Sequence, residues 1–187
     1  MPIVPVFGPS SAVSGGGDME LIFSEKLTSS ATSISTGTLP TGYRSLVIHT
    51  RLRVDGNLIA QAVNGYLNND QTATNYQSSR DIGFNNAASS DYHNFPFMVS
   101  CTGALADAHM FGHDHIVIAD HESTNMFKNW YTTESLHGGT GAAFALNLTH
   151  AGLWKDTAPV TSVQFVTAHA GPPAFVAGSA MFVYGLK

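Results

Sequence analysis

The sequence predicts an all-β fold, a jelly-roll-like β-sandwich preceded by an extended N-terminal arm, and three observations carry that prediction. Several runs alternate with a period of two, as half-buried strands do. The run Ser179–Lys187 is the clearest, with Ala180, Phe182, Tyr184 and Leu186 on one face and Met181, Val183 and Gly185 on the other. Clusters of Gly, Pro, Asn, Asp and Ser separate these runs at short intervals, among them Lys155-Asp156-Thr157-Ala158-Pro159 and Gly171-Pro172-Pro173. No stretch shows the periodicity of a convincing amphipathic helix.

Two units follow, an arm over 1–18 and a single sandwich domain over 19–187. In the arm, Pro2, Pro5 and Pro9 favour extended backbone, and Gly15-Gly16-Gly17 forms a joint. Ile3, Val4, Val6 and Phe7 give it apolar side chains suited to docking on a neighbouring subunit; the plainer reading is a disordered terminus. The first strand is expected over Met19–Leu27, where Met19, Leu21 and Phe23 alternate. Thr28–Gly37 is a short edge strand or a loop. Arg44–Asp55 places Leu46, Ile48, Thr50, Leu52 and Val54 on one face and Val47, His49, Arg51 and Arg53 on the other, with Asp55-Gly56 as the turn.

Gln61–Leu67 alternates more weakly and leads into the polar loop Asn68–Tyr76. Asx-type turns explain that loop, and its oxygens are also of the kind that bind Ca²⁺, though without the spacing of a calcium loop. Asp81–Asn94 reads as turn-rich. Phe95–Cys101 is a strand that Pro96 places at an edge, or whose start Phe95-Pro96 marks, because proline cannot donate to a ladder. Met110–Ala119 is a strand bent at Gly112, and Asn125–Glu134 a strand carrying Phe127, Trp130 and Tyr131. Ala142–Ala151, Val160–Ala168 and Ser179–Lys187 complete about eight or nine strands, the number and spacing of a sandwich.

Composition narrows the function. Apolar residues are 43% of the 187-residue chain but charged residues only 11%, against about 25% in an average soluble protein. Such a surface suits a protein largely covered by neighbouring subunits. A net charge of −5 and scattered Lys and Arg argue against a nucleic-acid partner. No signal peptide follows Met1, and no run approaches the ~20 apolar residues that span a bilayer, so no membrane partner is expected. The lone Cys101 excludes an internal disulfide and sits in an apolar run, as a buried structural thiol does.

The histidines are the one cluster with ligand chemistry. His109, His113, His115 and His121 stand close together in sequence, and on a strand His113 and His115 share a face, so both imidazoles can reach one ion. A third ligand would come from His109 or His121. The carboxylate and distant histidine of a cupin-type site are not evident, so surface or inter-subunit histidines are the default and no cofactor is expected. Nucleophile elbow, P-loop and dinucleotide fingerprint are missing, so no enzymatic activity is expected.

Several segments together resemble a group of small tailed-phage virion proteins. They are Gly152-Leu153-Trp154, Thr157-Ala158-Pro159-Val160-Thr161-Ser162-Val163, Phe175-Val176-Ala177-Gly178-Ser179 and Val183-Tyr184-Gly185-Leu186-Lys187, with Leu39–Ile48, Met110-Phe111-Gly112 and Ile116-Val117-Ile118 upstream. The resemblance implies a β-sandwich or jelly roll used in capsid decoration or in tail appendages, and it carries over no catalytic residues. It implies a homotrimer on the outer surface of a virion, made in the host cytoplasm and bound to the major capsid protein. In that setting Ile3, Val4, Val6 and Phe7 are the expected docking residues of the arm, and Trp130 and Tyr131 the exposed aromatic anchors. The alternative is a tail-fibre, baseplate or head-fibre module that binds host glycans through loops such as Asn68–Tyr76 and Asp91–Phe97.

Overall fold

The structure is a computed structural model that describes residues 19–85, 87–94, 96–139, 144–168 and 173–187, with the side chains of 97 and 98 excepted. The apolar arm residues Ile3, Val4, Val6 and Phe7 lie outside the described residues. The described residues form twelve strands, and the only helical element among them is one 3-10 turn, Ala73–Asn75. The strands are β1 (Met19–Lys26), β2 (Ser33–Ser35), β3 (Ser45–Leu52), β4 (Ala60–Leu67), β5 (Tyr76–Phe84), β6 (Ala87–His93), β7 (Phe97–Thr102), β8 (Gly112–Ile118), β9 (Lys128–His137), β10 (Ala145–Trp154), β11 (Val163–Thr167) and β12 (Ala180–Leu186).

Two antiparallel sheets pack face to face. The larger has the order β1-β12-β3-β8-β9-β10-β5-β6 and the smaller β2-β11-β4-β7. Set aside β5, β6, β9 and β10, and what remains is β1-β12-β3-β8 over β2-β11-β4-β7, with the chain crossing repeatedly between the layers. That winding is a jelly roll. The expected fold class therefore holds, and the four additional strands widen one sheet. β2 and β7 are the edges of the smaller sheet; of the alternatives the sequence left open, Thr28–Gly37 holds the short edge strand, and Pro96 stands directly before an edge strand.

Between the sheets lies the core. Ile34, Leu46, Ile48, Leu52, Val63, Leu67, Ile116, Trp154, Phe165, Phe175, Met181 and Val183 are all buried within it. These are the inward positions that alternation requires, so burial and pleat agree on β3 and β12. Gly152 and Trp130 are cross-strand partners, and a Cβ on Gly152 would fall 2.0 Å from the indole; glycine is what lets that ring lie flat on β10.

One expectation fails here. Asp81–Asn94, read as turns, contains most of the β5–β6 hairpin. β7 packs against β8, β9 and β10, and the hairpin carries the larger sheet past it. Ala87 to Ser90 are exposed, so no buried face imposes alternation on this stretch.

Candidate functional site

Cross-strand register assigns the outer face of the larger sheet residue by residue. Leu21, Tyr184, Val47, Val117, Tyr131, Ala151, Ser79 and Tyr92 are successive partners from β1 to β6, a nearly unbroken apolar row with Ser79 as its one small polar member. The next row reads Ser24, Phe182, His49, His115, Thr133, Thr149, Asp81 and Ser90. The row beyond holds Lys26, Ala180, Arg51, His113, Ser135, Asn147, Gly83 and Ala88. The charged side chains on these three rows are Lys26, Arg51 and Asp81. The face is broad, aromatic and almost uncharged.

A groove of about 690 Å³ opens on it, lined by His49, His113, His115, Thr133, Ser135 and Phe182 among others. His49 stands opposite His115 across β3 and β8, with ring centroids 4.8 Å apart and planes tilted by 49°. Tyr184 meets His49 edge-on at 5.7 Å. Partial burial, and then the neighbouring His115, lower the pKa of His49 below the ordinary imidazole value. Arg51 lines the groove with its guanidinium engaged: its Nη2 donates to the Gly178 carbonyl at 2.8 Å, and its guanidinium lies 5.2 Å from the Phe111 ring centroid.

The opposite face of the same strands hides a polar chain. Thr50, Asp114 and Glu134 are cross-strand partners pointing inward, and Thr50 Oγ1 donates to Asp114 Oδ2. The Ser100 amide donates to Glu134 Oε2 at 2.8 Å, and His150 Nε2 stands 2.8 Å from Glu134 Oε1. Asp114, Glu134 and His150 are all buried. Burial, reinforced by the adjacent Glu134, raises the Asp114 carboxyl well above its usual range. Burial likewise raises Glu134 to about 8, against the opposing Ser100 hydrogen bonds, and lowers His150 to about 3, with Arg80 adding to the effect. The neutral form of each is favoured. Further out, Arg80 pairs with Asp91, donating from Nε at 3.0 Å and from Nη2, and His93 Nε2 lies 3.1 Å from Asp91. The buried carboxyls are sealed between the layers, and their chemistry acts on packing.

The histidine expectations divide. His113 and His115 do share the outer face. His109 sits exposed in the loop before β8. His121 is buried beyond the end of β8, 3.7 Å from Glu122, and neither joins the pair. The third imidazole of the face is His49, which sequence reasoning placed on an outward strand face without seeing its partner; only register between distant strands supplies that. Among the described residues no group of three or more His, Cys, Asp or Glu is placed to hold a metal ion.

The aromatic pair also needs correction. Trp130 and Tyr131 are neighbours on a strand, so their side chains point to opposite faces. Trp130 is 3% exposed and packs in the core, where it cannot anchor a partner; Tyr131 is 49% exposed in the apolar row. The Asn68–Tyr76 loop is committed internally. Asn68 Oδ1 accepts from the Thr161 and Ser162 amides at 2.7 and 3.2 Å, and Asp70 accepts from Asn75, Trp154 Nε1 and the Thr72 amide. Asn68 and Asn69 take left-handed backbone at φ 53° and 56°, a conformation asparagine tolerates, so the Asx-turn reading accounts for the loop.

No family model, curated protein or solved structure matches this chain. What fold and site together define is a jelly-roll sandwich with one enlarged sheet whose outer face is broad and poor in charge.

Proposed function

We propose that this chain is a non-enzymatic structural protein of a tailed-phage particle, a capsid decoration protein that binds the assembled shell as a homotrimer and stabilises it. The observation that carries the reading is the outer face of the larger sheet. Leu21, Tyr131 and Tyr92 are each about half exposed on a single row, with Tyr184 and Val117 between them. Eight strands at about 4.8 Å spacing give a width of roughly 34 Å, and seven residues at about 3.3 Å a length of roughly 23 Å. The product is close to the ~800 Å² that each partner contributes to a stable interface. A surface of this size and polarity is expected to be covered.

The mechanism is mass action. A protein that binds only the assembled shell stabilises it by RT ln(1 + [L]/Kd) and needs no chemistry of its own. The major capsid protein is the expected partner, as the resemblance of the C-terminal segments implies. The glycan-binding alternative gains no specific support, because the side chains of Asn68 and Asp70 are spent on the chain itself. The test uses fluorescently tagged protein with undecorated capsids and with intact host cells. Binding to capsids, with a rise in their disruption temperature, is the expected result. Labelling of cells and not of capsids refutes the decoration reading.

A further inference from the structure

The outer-face histidines have the geometry of a metal site that is half built. With metal–nitrogen bonds of about 2.0–2.1 Å and ligand angles of about 90–110°, two imidazoles on one ion place their ring centroids roughly 4.5–5.2 Å apart. His49 and His115 stand at 4.8 Å in a tilted arrangement, without the parallel overlap of stacked rings. They are register partners on adjacent, fully paired strands in the middle of the larger sheet, so the spacing of their Cα atoms is fixed by the ladder on both sides.

Their nitrogens are also available. Among the described residues no hydrogen bond or ion pair engages the ring nitrogens of His49, His113 or His115. The groups around them are Lys26, Arg51, Thr133, Ser135 and Phe182 on the groove walls, with Tyr184 against His49. Of the two cations, Arg51 has its guanidinium committed to Gly178 and Phe111. Asp114 and Glu134 point to the other side of the sheet and contribute no ligand.

We propose that His49 and His115 bind one divalent first-row transition-metal ion, Cu²⁺, Ni²⁺ or Zn²⁺, through two imidazole nitrogens, with its remaining positions open to water on the outer face. Affinity follows the order of these ions for nitrogen ligands, with Cu²⁺ the tightest. His113 lies two residues along the same strand and face, exposed and on the wall of the same groove. The pair carries no carboxylate partner to orient it, which places the site among weaker, exchangeable ones.

Cu²⁺ titrated into the full-length protein at pH 7.5 and followed by electron paramagnetic resonance tests this. The expected spectrum is one bound ion with hyperfine coupling to two imidazole nitrogens. His49→Ala and His115→Ala should each remove one of those couplings and weaken binding about tenfold or more. His109→Ala and His137→Ala should leave both readouts unchanged. Thermal midpoints matching the wild type show that the outer-face variants are folded; if either is not, His49→Gln and His115→Gln replace them. Absence of a two-nitrogen signal in the wild type overturns the proposal, as does binding that survives unchanged in both His49 and His115 variants.

Discussion

Raising the pH from 6.5 to about 8 should destabilise this protein, and Glu134→Gln should blunt the effect. The sign follows from proton counting. Glu134 titrates at about 8 in the fold against an ordinary 4.5, so the folded state holds a proton that the unfolded chain releases, and stability falls as pH rises through that window. Asp114, also raised, adds in the same direction. His150, lowered to about 3, acts oppositely: its contribution is lost as pH drops below the ordinary 6.5, and His49 and His121, shifted the same way, add to it. Between about 4.5 and 6.5 the two sets offset one another, and above 6.5 the acids act alone. Over 1.5 pH units one carboxyl at about 1.4 kcal/mol per unit contributes about 2 kcal/mol, before the share of Asp114. For a chain of this length that lowers the thermal midpoint by roughly 4–8 °C. Glutamine keeps the shape of the side chain and the acceptor for the Ser100 amide but cannot ionise. Scanning calorimetry at half-unit pH steps is the assay. A midpoint that is flat or rising from pH 6.5 to 8, or an equal fall in Glu134→Gln, refutes the reasoning.

Other outcomes are as specific. Gly152→Ala puts a methyl 2.0 Å from the Trp130 ring and should cost about 1–3 kcal/mol, with a changed near-ultraviolet circular dichroism signal from the displaced indole. Asp70 titrates at about 2, because the hydrogen bonds from Asn75, Trp154 and Thr72 together outweigh the effect of burial. Its contribution is therefore present above pH ~3.8 and lost toward pH 2. Asp70→Asn turns one acceptor into a donor facing other donors and should cost about 1–3 kcal/mol by urea titration, with altered Trp154 emission. Cys101 is buried and its thiol is pushed well up, by burial first and then by Asp114 and Glu134, so alkylation should proceed no faster than global unfolding.

How much of this was legible in the chain depends on what each strand buries. β3 and β12 have one wholly enclosed face, so Leu46, Ile48 and Leu52, and likewise Met181 and Val183, write the pleat into the sequence. β9 is as regular in space, alternating buried and exposed through its whole length. Its inward residues are Lys128, Trp130, Thr132, Glu134 and Leu136, and three polar members disguise the alternation. Lys128 is accommodated because its ammonium donates to the carbonyls of Ser123, Met126 and Thr157. With that pattern hidden, Trp130 could not be assigned to its face. The β5–β6 hairpin was illegible for the opposite reason: with both sides near solvent, Gly83, Ser89 and Ser90 are free of selection by a core and look like turns. The histidine pair hid in topology, since His49 and His115 are far apart in sequence and meet only through the β3–β8 ladder.

Met19 and Leu186 are partners on the outermost pair of strands, β1 and β12. Entry to and exit from the domain thus share one corner. Anything fused upstream of Met19 or downstream of Lys187 would emerge side by side, and a short bridging peptide would turn the domain into a closed ring. Reopened at the Asn68-Asn69 turn, such a ring would keep every strand ladder while moving both free ends to another corner.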